Sequence, residues 1–216
     1  MMKLIHIPLA ELLTAYPDIA TVLQTYHIDV HENQYTNVAQ LLHNKNLPRE
    51  VFLTELQKVL ITSACSHYKK ADVKTITHDI VKRFHEPHRA QIYELISDAR
   101  YVEKKYAEHG GFPQGLTALL IAFFDDLTNH MDQEELFLFP TLEAAGNFNM
   151  FSQLALAHHS HDRHINMMAE LKSITRNFTP PSDASVQWQE LYENLLEFVL
   201  QLNMHIAVEN QLLLND

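Results

Sequence analysis

The sequence predicts an all-α protein in which a small helical domain precedes an up-down bundle of four long helices. Three observations carry this. The motif H-x-x-x-E occurs twice in helical stretches, as His130-Met131-Asp132-Gln133-Glu134 and His205-Ile206-Ala207-Val208-Glu209. Each copy follows a pair of histidines, His85/His88 or His161/His164, and the offsets match: 45 residues separate His85 from His130, and 44 separate His161 from His205. Third, three of the four glycines fall in His109–Gly115, which must therefore be a loop between helical stretches.

Residues 1–62 read as the small domain. Leu9, Leu12, Leu13 and Tyr16 form one apolar stripe, Ile19, Val22, Leu23 and Tyr26 a second, and Val38, Leu41 and Leu42 a third with Thr36 as its cap. Pro48 opens a fourth, with Val51, Phe52, Leu56, Val59 and Leu60 on its stripe. Residues 63–76 lose the amphipathic pattern and are assigned as a linker, so 77–216 form the bundle.

Within the bundle the first helix is expected from Thr77 to about Glu108. Pro87 lies inside it, two residues past His85, and predicts a kink or local bulge there. The second helix runs to Ala145, where Gly146 supplies a stop, the third from Phe148 to Arg176, and the fourth from Ser185 to Leu214 after the break at Thr179-Pro180-Pro181. Phe123, Phe124, Phe137, Phe139, Met167, Met168 and Phe198 are expected in the core.

Positions i and i+4 share one helix face, so each His and its Glu can aim at a common point inside a bundle. A lone H-x-x-x-E is usually a solvated pair. Two copies at matched offsets, each with a matched upstream His, instead predict one dinuclear metal site, because imidazole with carboxylate suits iron, manganese or zinc and a carboxylate can bridge two ions. Spacing alone leaves His85 or His88, and His161 or His164, as the upstream donors. Glu135 and Asp162, next to proposed ligands, are candidates to orient imidazoles. The other histidines default to surface or capping positions.

At Phe84-His85-Glu86-Pro87-His88-Arg89, Asn129-His130-Met131 through Glu134-Glu135 to Leu138-Phe139-Pro140, Ser160-His161-Asp162 and His205 through Glu209-Asn210, the chain resembles the hemerythrin-like di-iron proteins. Within them it resembles the iron–sulfur cluster repair group, over nearly its whole length. The resemblance implies a hemerythrin-like bundle holding two iron ions in an oxo- or hydroxo-bridged centre. It selects His85, His130, His161 and His205 as ligands and Glu134 and Glu209 as bridging carboxylates. It also implies a role in restoring iron–sulfur clusters damaged by nitrosative or oxidative stress, by donating iron, with damaged or apo iron–sulfur proteins as partners. Reduction of nitric oxide to nitrous oxide, or simple binding of oxygen or nitric oxide, stand as alternatives; peroxide is a further small-molecule ligand. One departure is that Val30-His31 stands where the group typically carries a Cys-Cys pair in its amino-terminal domain.

Composition removes other classes. Net charge is −11 with no Lys/Arg cluster, which argues against nucleic acid. Cys65 is the only cysteine, so a disulfide within the chain, a Cys-based zinc site and a Cys-ligated cluster are excluded. The start of the chain lacks the apolar run of a signal peptide, and no stretch approaches the roughly 18–20 apolar residues of a membrane span. A cytoplasmic location is expected, and a homodimer is left open.

Overall fold

The computed structural model describes residues 4–44, 47–145 and 151–212. The chain divides into two compact units, Met1–Lys69 and Lys70–Asp216. In the first, α1 (Leu9–Ala15), α2 (Ile19–Thr25), α3 (Val38–Asn44) and α4 (Arg49–Tyr68) bury Leu9, Leu12, Ile19, Leu23, Leu41, Phe52, Leu56 and Leu60. Tyr26 meets Phe52 edge to face, with ring centroids 5.1 Å apart. The cap of α3 is Asn37, one residue past the expected Thr36, and its side chain exchanges hydrogen bonds with Gln40: Gln40 N–H donates to Asn37 Oδ1, and Asn37 N–H to Gln40 Oε1. Pro48 stands just before α4, not inside its first turn, and Val51 faces solvent. His31 lies in an exposed turn closed by Asp29, whose carboxylate accepts from the N–H groups of His31 and Glu32.

The expected linker at 63–76 is mostly helix. α4 continues to Tyr68 because Ala64, Cys65 and Tyr68 sustain its buried stripe. The next helix begins at Val73, earlier than Thr77, because Asp72 accepts a hydrogen bond from the Thr75 N–H as a cap. Cys65 is therefore a buried helical residue, and burial pushes its thiol pKa up. We expect alkylating reagents to modify native Cys65 slowly, and Cys65→Ala to leave bound metal unchanged, because the six expected donors all lie in the second unit. Metal loss in that variant, read by metal analysis, would contradict that placement.

The second unit is built from four rods. The first comprises α5 (Val73–Ile80), a π-helical stretch (Val81–His85) and α6 (Glu86–Lys105). The second comprises α7 (Leu116–Gln133), a π-helical stretch (Glu134–Leu138) and α8 (Phe139–Ala145). The third and fourth are α9 (Phe151–Ile174) and α10 (Val186–Leu212). Neighbouring pairs are α6 with α7, α7 with α9, α9 with α10 and α10 with α6, which closes the square of an up-down bundle. The expected stop at Gly146, the start at Phe148 and the end at Leu214 lie outside the described residues.

Each π-helical stretch stands just ahead of a proline. Glu86 N–H reaches back five residues to Val81 O, and Phe139 N–H to Glu134 O. The following residues, Pro87 and Pro140, have no N–H to give, and in a regular α-turn their rings would collide with the carbonyl four residues earlier. A turn holding one extra residue accommodates both conditions. The bulge at Pro87 matches the expectation, whereas the one ahead of Pro140 breaks a helix expected to be regular. It also corrects the core: one extra residue rotates the later side chains by about 100°. Leu138 and Phe139 consequently turn inward, while Phe137, expected in the core, is 62% exposed.

At the far end of the bundle, Trp188 of α10 is fully buried against Tyr106, His109, Phe112 and Tyr192. Gly115 takes the left-handed φ of 87° that starts α7, and the Glu103 carboxylate accepts from the Gly115 and Thr117 N–H groups.

Candidate metal centre

The bundle brings all six proposed ligands together. His85 ends the first π-helical stretch, His130 lies in the last turn of α7, and Glu134 begins the second π-helical stretch. His161 comes from α9, and His205 with Glu209 from α10. They form two overlapping groups: His85, His205, Glu134 and Glu209, and His130, His161, Glu134 and Glu209. All six residues are at least 95% buried.

The two carboxylates lie between the groups, each with one oxygen toward either side. Glu134 Oε2 is 3.5 Å from His85 Nε2, and its Oε1 is 3.3 Å from His130 Nε2. Glu209 Oε1 is 2.8 Å from His205 Nε2, and its Oε2 is 3.1 Å from His161 Nε2. Within each group the two imidazole nitrogens are 3.1 Å apart, His85 with His205 and His130 with His161. Two nitrogens bound side by side to one ion, each about 2.1 Å from it, are separated by about 3 Å, so the spacing fits a shared metal. Imidazole nitrogens with bridging carboxylates suit first-row transition ions.

The electrostatics also fit a cation pair. Burial and repulsion from Glu209 push the Glu134 carboxyl well above the usual carboxylate range. Burial acts on Glu209 the same way, but His205, His161 and His85 outweigh it and hold Glu209 well below that range. Two adjacent buried carboxylates do not both ionise without a positive partner, and a divalent ion in each donor group would supply it. Burial drives His130 down to about 2, leaving a neutral imidazole suited to ligation.

The outer ring nitrogens fix the orientation of two ligands. His85 Nδ1 lies 2.8 Å from Glu135 Oε1, and His161 Nδ1 lies 2.9 Å from Asn210 Oδ1. With these protons on Nδ1, both Nε2 lone pairs face the centre. Glu135 also accepts from Arg89 Nη1 at 2.8 Å, while Arg89 Nη2 donates to Asp132 at 2.7 Å. The hydrogen bond to His85, with Arg89 behind it, outweighs burial and lowers the Glu135 pKa to about 2.

Glu135 thus takes the orienting position expected of it, whereas Asp162 is exposed. Arg89 and Asn210 were missed as orienting groups; their signals were Arg89 four residues past His85, and Asn210 directly after Glu209. His88 and His164, which spacing left as alternative upstream donors, are fully buried. Their rings lie beside ligands on other helices, with centroids 5.4 Å from His205 for His88 and 4.9 Å from His130 for His164. A position three residues past an inward-facing one stays on the same helix face, which carries both inward. Neither joins the two donor groups.

Residues 77–215 match the family model described as the hemerythrin HHE cation binding domain. Curated relatives include the iron-sulfur cluster repair protein YtfE of Shigella boydii serotype 4 and that of Escherichia coli strain K12. Each is 30% identical over 206 residues, covering 95% of this chain and 94% of the relative. Among the described residues, no helix is long and apolar enough to cross a membrane. With a family match across the bundle and relatives matching both units, the chain belongs to the hemerythrin family, in its YtfE branch of iron–sulfur cluster repair proteins.

Proposed function

We propose that this protein is a non-heme di-iron protein that repairs iron–sulfur clusters damaged by nitrosative or oxidative stress, donating iron to the damaged or apo protein. The observation that supports it best is the pair of overlapping donor groups, in which Glu134 and Glu209 each offer one oxygen to either side. His85 and His205 would hold one iron, His130 and His161 the other, and the two glutamates would bridge them. Iron held by these residues would supply binding of small molecules and exchange of two electrons. The chain's own groups shape that centre. Glu135 and Asn210 fix two imidazoles with Nε2 inward, and Phe84 and Phe139 stack on His205 and His85. We propose that the first unit is the amino-terminal domain of the repair proteins. With Val30 and His31 at its turn, it brings no thiol chemistry there.

The test is anaerobic transfer of iron from the reduced protein to an apo iron–sulfur protein, run beside a nitrous oxide measurement on the same preparation. Reconstitution of the acceptor cluster, with iron leaving the donor, is the expected result. Iron held for hours while nitric oxide is consumed over many turnovers would replace donation with nitric oxide reduction.

A further inference from the structure

The duplication that builds the centre leaves the two halves matched in ligands but unmatched in what stands behind them. His85 is backed by a carboxylate: Glu135 Oε1 is 2.8 Å from its Nδ1, and Arg89, anchored in turn by Asp132, holds that carboxylate in place. The corresponding ligand of the other half, His161, is backed by the neutral amide oxygen of Asn210 at 2.9 Å. A carboxylate accepting the outer N–H makes an imidazole a stronger donor than an amide oxygen does, and losing such a partner typically weakens metal binding by about 10–100-fold.

The surroundings differ in the same sense. Phe84 lies nearly parallel to His205, at 5.1 Å and 8°, and Phe139 stacks on His85 at 5.7 Å and 21°. Two aromatic rings therefore cover the imidazoles of the first half and restrain their rotation. In the second half the ring neighbours of His130 are the imidazoles of His161 and His164, and His130 is the most exposed of the six ligands.

We infer that the two metal positions are unequal, the ion between His85 and His205 being retained and the ion between His130 and His161 being the one released. This rests on the reading of the site as an iron pair that donates iron, and it names which iron. Release would free His130, His161 and one oxygen of each glutamate, the ion passing to the chelator or acceptor protein. His85, His205 and the other oxygen of each carboxylate would hold the retained ion, so all of its donors stay in the bundle.

The experiment follows iron leaving the full-length, anaerobically reduced protein into a ferrous chelator. Two phases of equal amplitude are expected. Asn210→Asp, which gives His161 the carboxylate that His85 already has, should slow the fast phase about 10-fold or more and leave the slow one unchanged. Glu135→Gln should speed the slow phase by a similar factor and leave the fast one. The unsubstituted protein gives an independent measurement: loaded with one equivalent of iron-57 and then one of natural iron, it should keep most of the iron-57 after the fast phase, as Mössbauer spectroscopy would show. A single phase, or random loss of the isotope, overturns the inequality. Acceleration of the fast phase alone by Glu135→Gln reverses the assignment and overturns it equally. Failure of the unsubstituted protein to bind an iron pair would instead overturn the function itself, which separates the two failures.

Discussion

Glu134→Ala is expected to take bound iron from a full pair to almost none. Glu134 belongs to both donor groups, so its removal takes one oxygen from each position, whereas His130→Ala takes a donor from one only. Bound iron should therefore fall further in Glu134→Ala than in His130→Ala, as metal analysis of anaerobically purified protein would show. The loss is separable from misfolding. In the metal-free protein the Glu134 carboxyl is held well above its ordinary pKa by burial and by Glu209, so its removal relieves an unfavourable group. That relief opposes the cost of the cavity left by the shorter side chain, so the metal-free variant should still unfold cooperatively near the temperature of the metal-free parent. A Glu134→Ala protein that keeps a full iron pair would remove Glu134 as a bridge.

Trp188→Ala should produce the largest loss of stability while sparing the centre. Trp188 is fully buried among Tyr106, His109, Phe112 and Tyr192, where it ties the turn after α6 to the start of α10. Deleting a buried aromatic of this size costs about 3–5 kcal/mol. For a protein of this length, that corresponds to a fall in Tm of roughly 6–20 °C. His205 lies 17 residues further along the same helix, about 25 Å away at 1.5 Å per residue. Iron content measured well below the transition should therefore be unchanged. A loss below about 1 kcal/mol by denaturant unfolding would show that the cluster adds little to the packing.

The family resemblance chose His85 over His88 and His161 over His164, which spacing left open; what the sequence by itself determined is the helical class and the pairing of His130 with Glu134 and of His205 with Glu209. Each of these is written in local periodicity: H-x-x-x-E places a His and a Glu one turn apart on a single face whatever surrounds them, and matched offsets mark a repeat that must fold the same way twice. Pro87 likewise announced its bulge, because the missing N–H is a property of the residue. Only the tertiary structure decided the rest. Phe137 and Leu138 are both apolar neighbours, and which one faces inward depends on the extra residue in the turn ahead of Pro140, which shifts the phase of the whole helix end. The three-residue spacing of His88 from His85 fits a core face as well as a solvated one, and only the approach of α10 turned that face inward. Glu135 and Asn210 acquired their partners across 50 and 49 residues of chain. A hydrogen bond of that range has no local signature, since it exists only after the hydrophobic faces of four helices have closed on one another and set their side chains in register.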